Sequence, residues 1–200
     1  DELIEDSTIT GLSIEDYLRE YIIPQKQDKF GPTARSNDIS EILFSDLFEF
    51  VLNYEVPRCK QYNRSGKNES EHGTDIIAYK FHNEEKTPTK EDELVAIEVK
   101  AKLSLKEICG VIQNAAADST KDEYRVAHTL NYYRKKLRNM GKVEESRYIE
   151  RFQQKAELPY KISYVGAAIS SRPAIENKII AGIKESDLQL KVNQSIYYVH

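Results

Sequence analysis

The chain has 200 residues, 40% of them apolar and 31% charged, which fits one soluble globular domain with room for an accessory lobe. No apolar run reaches the ~18 residues that span a bilayer and no secretory signal pattern opens the chain, so membrane-spanning and secreted classes are set aside and a cytoplasmic protein is expected. A formal net charge of −4 argues against a uniformly basic nucleic-acid-binding domain.

The chain opens at Asp1 rather than Met, which reads as an N-terminal trim or an excised fragment, and Asp1 to Asp6 is an acidic run. Residues 13–23 read as a helix, with Ser13 as its cap and Pro24 as its stop. Residues 24–37 read as a loop holding Pro24, Gly31, Pro32 and Asn37. Asp38 then reads as the N-cap of a strong helix, with Glu41 three residues later as in a capping box. Ile39, Ile42, Leu43, Phe44, Leu47, Phe48 and Val51 give that helix a broad apolar face.

Three strand-like runs follow, at 54–62, 73–81 and 93–101. The polar turn Asn63 to Glu69 separates the first two, and a charged loop from His82 to Asp92 separates the others. Connections this short predict a β-meander. Ser104, with Glu107 three residues on, reads as the cap of a helix through Ile108, Val111, Ile112 and Ala115. A thin, tyrosine-rich helical region covers about 120–157 and breaks near Gly141. Tyr160 to Ser170 reads as a strand, Pro173 as the start of a helix through Ile175, Ile179 and Ile180, and Leu188 to Val199 as a final strand pair. The order predicts an α/β sandwich around a mixed sheet.

The chemistry concentrates on two of these runs. Glu98 and Lys100 are two apart on a strand, so they share a face. Their flanks Leu94, Val95, Ala96, Ile97 and Val99 are apolar on both faces, which describes a central strand where unpaired charge is expensive. Asp75 stands on the neighbouring run. Two carboxylates of this kind suit Mg²⁺ or Mn²⁺, which prefers hard oxygen ligands and keeps substrate phosphate and water as the rest of its shell. Asp75, Glu98 and the Val99 carbonyl are therefore the candidate metal ligands. Lys100 could hold or deprotonate an attacking water, or offset charge in the transition state. Glu41 could complete the set through water or a second metal.

Each residue also has a plainer reading. An E-x-K pair can be a cross-strand ion pair on a solvated face. Asp75 can be a turn residue after Gly73-Thr74. Glu41 can be a capping partner and nothing more.

Together, a helical Glu41, a strand-opening Asp75 and Glu98-Val99-Lys100 resemble the PD-(D/E)xK nuclease superfamily. The resemblance covers about residues 38–170. It implies a restriction-endonuclease-like αβββαβ core, with about 120–157 as an inserted helical segment in a single nuclease-like domain over 1–200. It implies Glu41, Asp75, Glu98 and Lys100 as catalytic residues of a metal-dependent deoxyribonuclease. Thr74 stands where the superfamily signature has Pro. Many members carry a Gln on the following helix, for which Gln113 is the candidate. More narrowly, Arg35 to Leu43, the E-x-K strand and Lys161 to Ala168 resemble the family containing the nuclease subunit of the Hachiman antiphage system. That resemblance implies a defence effector that works on DNA with a helicase partner.

Outside this constellation, the run from Lys121 to Lys142 is locally basic. Within it, Asn131 to Arg138 mixes aromatic and basic residues, and Arg134, Lys135 and Arg138 are candidate contacts to DNA. The same segment could instead dock a partner protein. His72 beside Asp75 reads either as an assistant to the site or as a lone loop histidine, His128 within a helix has no ligand mate, and Cys59 and Cys109 read as reduced thiols. A nuclease-like module that holds DNA or a helicase without cutting stays open beside the enzyme.

Overall fold

The computed structural model describes residues 2–61, 73–103, 110–171, 180 and 182–199. The turn at Asn63 to Glu69, His72, the Ser104–Glu107 cap, Cys109 and the start of the Pro173 helix lie outside the described residues. Among the described residues, no helix is long and apolar enough to cross a membrane.

The chain opens with α1 (Glu2–Thr10) and α2 (Ile14–Tyr17), the latter continuing as a wider π-turn over Leu18–Ile22. Ser13 caps α2 as expected, accepting the Asp16 N–H at 3.1 Å. The next helix begins earlier than Asp38. α3 runs over Gly31–Asp46, with Pro32 in its first turn, and winds on as a π-turn through Leu47–Val51. Proline there has a pre-set φ and gives up an N–H that has no helical partner anyway. The Gly31-Pro32 pair that reads as a loop is thus a start signal. Asp38 is mid-helix, and no capping box joins it to Glu41.

The described part of the 54–62 run, residues 54–61, is not a strand. Asn53 and Arg58 take φ of 58° and 52°, and Pro57 lies between them, so the extended path is interrupted. One antiparallel bridge survives, Glu55 to Tyr79, closed by two backbone hydrogen bonds of 2.8 and 3.0 Å. The expected meander is therefore a hairpin of β1 (Ile76–Lys80) and β2 (Glu93–Lys102), with that bridge on its outer edge.

α4 (Val111–Ser119), α5 (Asp122–Asn139) and α6 (Val143–Arg151) follow, with the break between α5 and α6 at Gly141, whose φ is 75°. They carry the chain over to β3 (Lys161–Ser170), which lies parallel to β2. After the short α7 (Glu185–Leu188), β4 (Gln194–Val199) adds parallel to β3. The expected terminal strand pair is one strand, because Gln189 and Asn193 turn the chain at φ of 49° and 66°. The sheet order is β1-β2-β3-β4, with one antiparallel and two parallel pairs.

This mixed sheet has helices on both faces, as the α/β reading predicts. Strand alternation sends Ile76, Ala78, Val95, Ile97, Val99, Val165 and Ala167 to one face, against Phe44 and Phe48 of α3 and its continuation. Ile77, Tyr79, Leu94 and Ala96 go to the other, against Val126, Leu130, Tyr133 and Leu137 of α5 and Ile149 of α6. A cavity of about 340 Å³ opens on the α3 face, between Phe48, Tyr54, Glu93 and Tyr197.

Candidate functional site

The even-numbered residues of β2 face α5, so Glu98 and Lys100 leave the sheet on the same side as Leu94 and Ala96. Glu98 is 5% exposed. Lys100 Nζ donates to Glu98 Oε1 at 2.7 Å and pairs with Asp118 Oδ2 of α4 at 2.9 Å. Asp118 reaches it because α4 lies close on β3. Gly166 is the β3 residue opposite Glu98, and a Cβ there would stand 2.7 Å from the Ala115 carbonyl oxygen. The other oxygen of Glu98 is met by Arg125 Nη1 of α5, at 3.4 Å.

Asp75 arrives from the end of the β1–β2 ladder. The last paired residues are Ile76 and Ile97, and two residues further Thr74 would face Val99. That pairing is not made. The Thr74 N–H donates to Thr129 Oγ1 of α5 at 3.0 Å, and the Val99 N–H donates to Asp75 Oδ2 at 2.8 Å. A residue's N–H and C=O share one edge of a strand, so the Val99 carbonyl lies on the Asp75 side, and Thr74 does not take it. Gly73, at φ 103°, turns the chain into this segment, and its carbonyl accepts from Lys60 Nζ at 3.0 Å.

The charges respond to this crowding. Burial raises the Asp75 carboxyl pKa, against the pull of Lys60 and of the Val99 N–H. Burial and then the charge of Asp75 raise that of Glu98, against Lys100 and Arg125. Burial lowers the Lys60 ammonium, while Asp75, Glu41, Glu98 and Asp122 hold it up. Lys100 goes the other way: burial opposes its charge, but hydrogen bonds to Glu98 and Asp118 raise its pKa. Asp122 opens α5 and is fully buried. Its Oδ1 accepts from Thr74 Oγ1 at 3.0 Å, and its Oδ2 has no hydrogen-bond partner among the described residues. Burial and then Glu98 push its pKa up to about 7.

Of the expected site residues, Asp75, Glu98, Val99 and Lys100 therefore converge. Glu41 is buried on α3 and lies within electrostatic range of Lys60. A crevice lined by Ser45, Lys60, Asp75 and Tyr133 connects that helix to the site. Gln113 is on the exposed side of α4. Arg134 and Arg138 lie further along α5, where both pair with Glu150 of α6 at 3.4 and 3.6 Å, and Lys135 is exposed beside them. His128 is exposed on α5. Cys59 is buried, a free thiol raised to about 12 by its burial.

Lys60, Asp118, Asp122 and Arg125 belong to the site and are not marked by the sequence pattern. Lys60 sits in the run that reads as a strand. The acids at 118 and 122 and the base at 125 have helical spacing, which is the one signal they offer, and solvated helices carry such spacing commonly.

Among the described residues no three His, Cys, Asp or Glu side chains gather closely enough to form a cage for a metal ion. A zinc-type shell supplied wholly by protein is not what this arrangement offers. Two carboxylates raised in pKa by burial, with an adjacent strand carbonyl, fit a hard divalent cation that keeps most of its water. The cavity on the α3 face opens on the opposite side of the sheet from Glu98 and is not part of this arrangement.

No curated protein matches the chain. The HamA family model matches residues 2–200, and the chain belongs to that family, which is associated with Hachiman antiphage defence.

Proposed function

We propose that this protein is a divalent-metal-dependent deoxyribonuclease of the PD-(D/E)xK type, the nuclease subunit of a bacterial defence complex acting in the cytoplasm with a helicase. The observation that supports this best is the broken ladder at Thr74 and Val99. It draws the Asp75 carboxylate to the backbone of the residue between Glu98 and Lys100.

In this reading Asp75, Glu98 and the Val99 carbonyl hold Mg²⁺ or Mn²⁺. Bound there, the ion would polarise the scissile phosphate and lower the pKa of a bound water. Lys100 orients the attacking water and offsets charge at the phosphate. Glu41 acts through Lys60 rather than on the ion, and Lys60 limits the repulsion among the acids. Lys135 and Arg138 contact the DNA backbone further out, with Arg134. A chain of net charge −4 holds DNA weakly alone, so the partner supplies much of the positive surface.

One observation favours a second reading. Glu98 is met by two cations and Lys100 by two carboxylates, so the group is internally neutralised. A module that binds DNA or a partner without cutting would look the same. Plasmid cleavage in Mg²⁺ or Mn²⁺, with and without co-purifying proteins, separates the two. Metal-dependent cutting that disappears in Glu98→Ala/Lys100→Ala supports the nuclease. Binding without cutting under every condition supports the module.

A further inference from the structure

Arg125 is the cation of the site with the loosest hold. It is 38% exposed at the side chain, while the Glu98 carboxylate it meets is 6% exposed. Its contact is a single one of 3.4 Å, longer than the ~2.7–2.9 Å of a strong charge-assisted bond. Glu98 does not depend on it, because Lys100 holds the other oxygen at 2.7 Å. A guanidinium has five donors in a planar fork that matches a phosphate, and here one of them is used among the described residues.

Its position on α5 adds to this. Lys121, Tyr124 and His128 are exposed at positions that flank Arg125 on the helix. Tyr124 is 82% exposed, a ring with no packing role. Arg134 and Arg138 differ, since both share Glu150 and lie further along the helix.

We propose that Arg125 is a substrate-binding residue that leaves Glu98 for a backbone phosphate when DNA enters, bringing that phosphate beside Glu98 and Lys100. The inference rests on the nuclease reading for the identity of the substrate. It concerns binding, so it is tested without cutting. When Arg125 moves away, Glu98 Oε2 loses the cation that competes for it, so DNA and a divalent cation favour one another at this site.

The test uses the whole protein, with its co-purifying proteins where they are needed for binding, and a short labelled DNA. Binding is followed against salt in Ca²⁺ and in EDTA for wild type, Arg125→Gln and Arg125→Lys. Mn²⁺ binding without DNA is followed by calorimetry. Arg125→Gln is expected to weaken DNA binding about tenfold and to flatten the salt dependence by about one phosphate contact, with Arg125→Lys between. Mn²⁺ affinity is expected to hold or rise, since a competitor for Glu98 is gone.

Unchanged DNA affinity and salt slope in Arg125→Gln would overturn the inference, as would a wild type that binds no DNA with its partners. Mn²⁺ affinity that falls while DNA binding holds would make Arg125 a support for Glu98 instead, and overturns it too. A wild type that binds DNA through Arg125 but never cuts removes the nuclease reading and leaves this one standing.

Discussion

Asp75 Oδ2 accepts the Val99 N–H at 2.8 Å, so a side chain ends the β1–β2 ladder where a backbone carbonyl would continue it. This makes Asp75 both a structural cap and a candidate ligand, and substitutions separate the two. Asp75→Asn keeps an acceptor for Val99 and loses the charge. It is expected to fold as wild type and to lose more than ~100-fold in metal-dependent cleavage, several kcal/mol of barrier. Asp75→Ala loses the acceptor too and is expected to cost a further ~1–3 kcal/mol of stability. Thermal melts beside cleavage rates check this, and an Asp75→Asn protein that cuts normally would remove Asp75 from the chemistry.

Asp122 predicts an unusual pH dependence of stability. Its folded pKa of about 7 lies above the 3.8 of an ordinary Asp, so between those values the folded state holds a proton that the unfolded state has lost. Its contribution is therefore complete at low pH, falls as pH rises through that window, and is flat above about 7. Asp122→Asn, which keeps an acceptor for Thr74, is expected to gain stability over wild type at pH 8 and to match it near pH 4. The gain is bounded by about 4 kcal/mol. Denaturant midpoints at the two pH values check this, and a constant difference would place the proton elsewhere.

Arg151 and Asp92 form a structural counterpart at the opposite end of β2. Arg151 Nη2 pairs with Asp92 Oδ2 at 3.0 Å, with side chains 4% and 0% exposed, and the guanidinium also donates to the carbonyls of Thr89, Leu158 and Pro159. The clamp ties the loop before β2 to α6 and the entry of β3. Arg151→Ala strands a buried carboxylate and is expected to cost ~3–5 kcal/mol. The cleavage rate of the fraction that stays folded is expected to hold. Unfolding curves and active-site-normalised rates check both parts.

Gly166→Ala tests the close approach of α4 to β3. The new Cβ would meet Ile196 Cδ1 at 2.6 Å and the Ala115 carbonyl oxygen at 2.7 Å. The isoleucine can turn, but the backbone of α4 must move. A loss of ~1–3 kcal/mol is expected. Because α4 carries Asp118, the Lys100–Asp118 pair should loosen as well. A Gly166→Ala protein as stable as wild type would show that α4 has slack there.

The parts of the fold that the sequence announces are those with strong local periodicity. β2, β3, the Ser13 cap and the break at Gly141 are of this kind. Asp75, Glu98 and Lys100 are legible because they sit within two short segments whose strand character is plain. The start of α3 and the 54–62 segment are misread for local reasons: Gly31-Pro32 looks like a loop, and the positive φ values at Asn53 and Arg58 leave no trace in apolar pattern. Asp118, Asp122 and Arg125 are illegible for another reason. They reach Glu98 through the packing of α4 and α5 on the sheet, and nothing in a helix's own residues states which strand residue it will meet.

The parallel pairing of β2 with β3 has a consequence for how the protein comes into being. The two strands are joined through α4, α5 and α6, so their register forms only after a long loop closes, and contacts of such sequence separation form slowly. Asp118, Arg125 and Thr129 all belong to that connection. A chain emerging during synthesis can make the β1–β2 hairpin, and with it the Asp75–Val99 contact, early, yet Glu98 and Lys100 meet Arg125 and Asp118 only once α4 and α5 pack on the sheet. The strand half of this charged group and its helix half are thereby made in separate steps, and the group is complete only when the fold is.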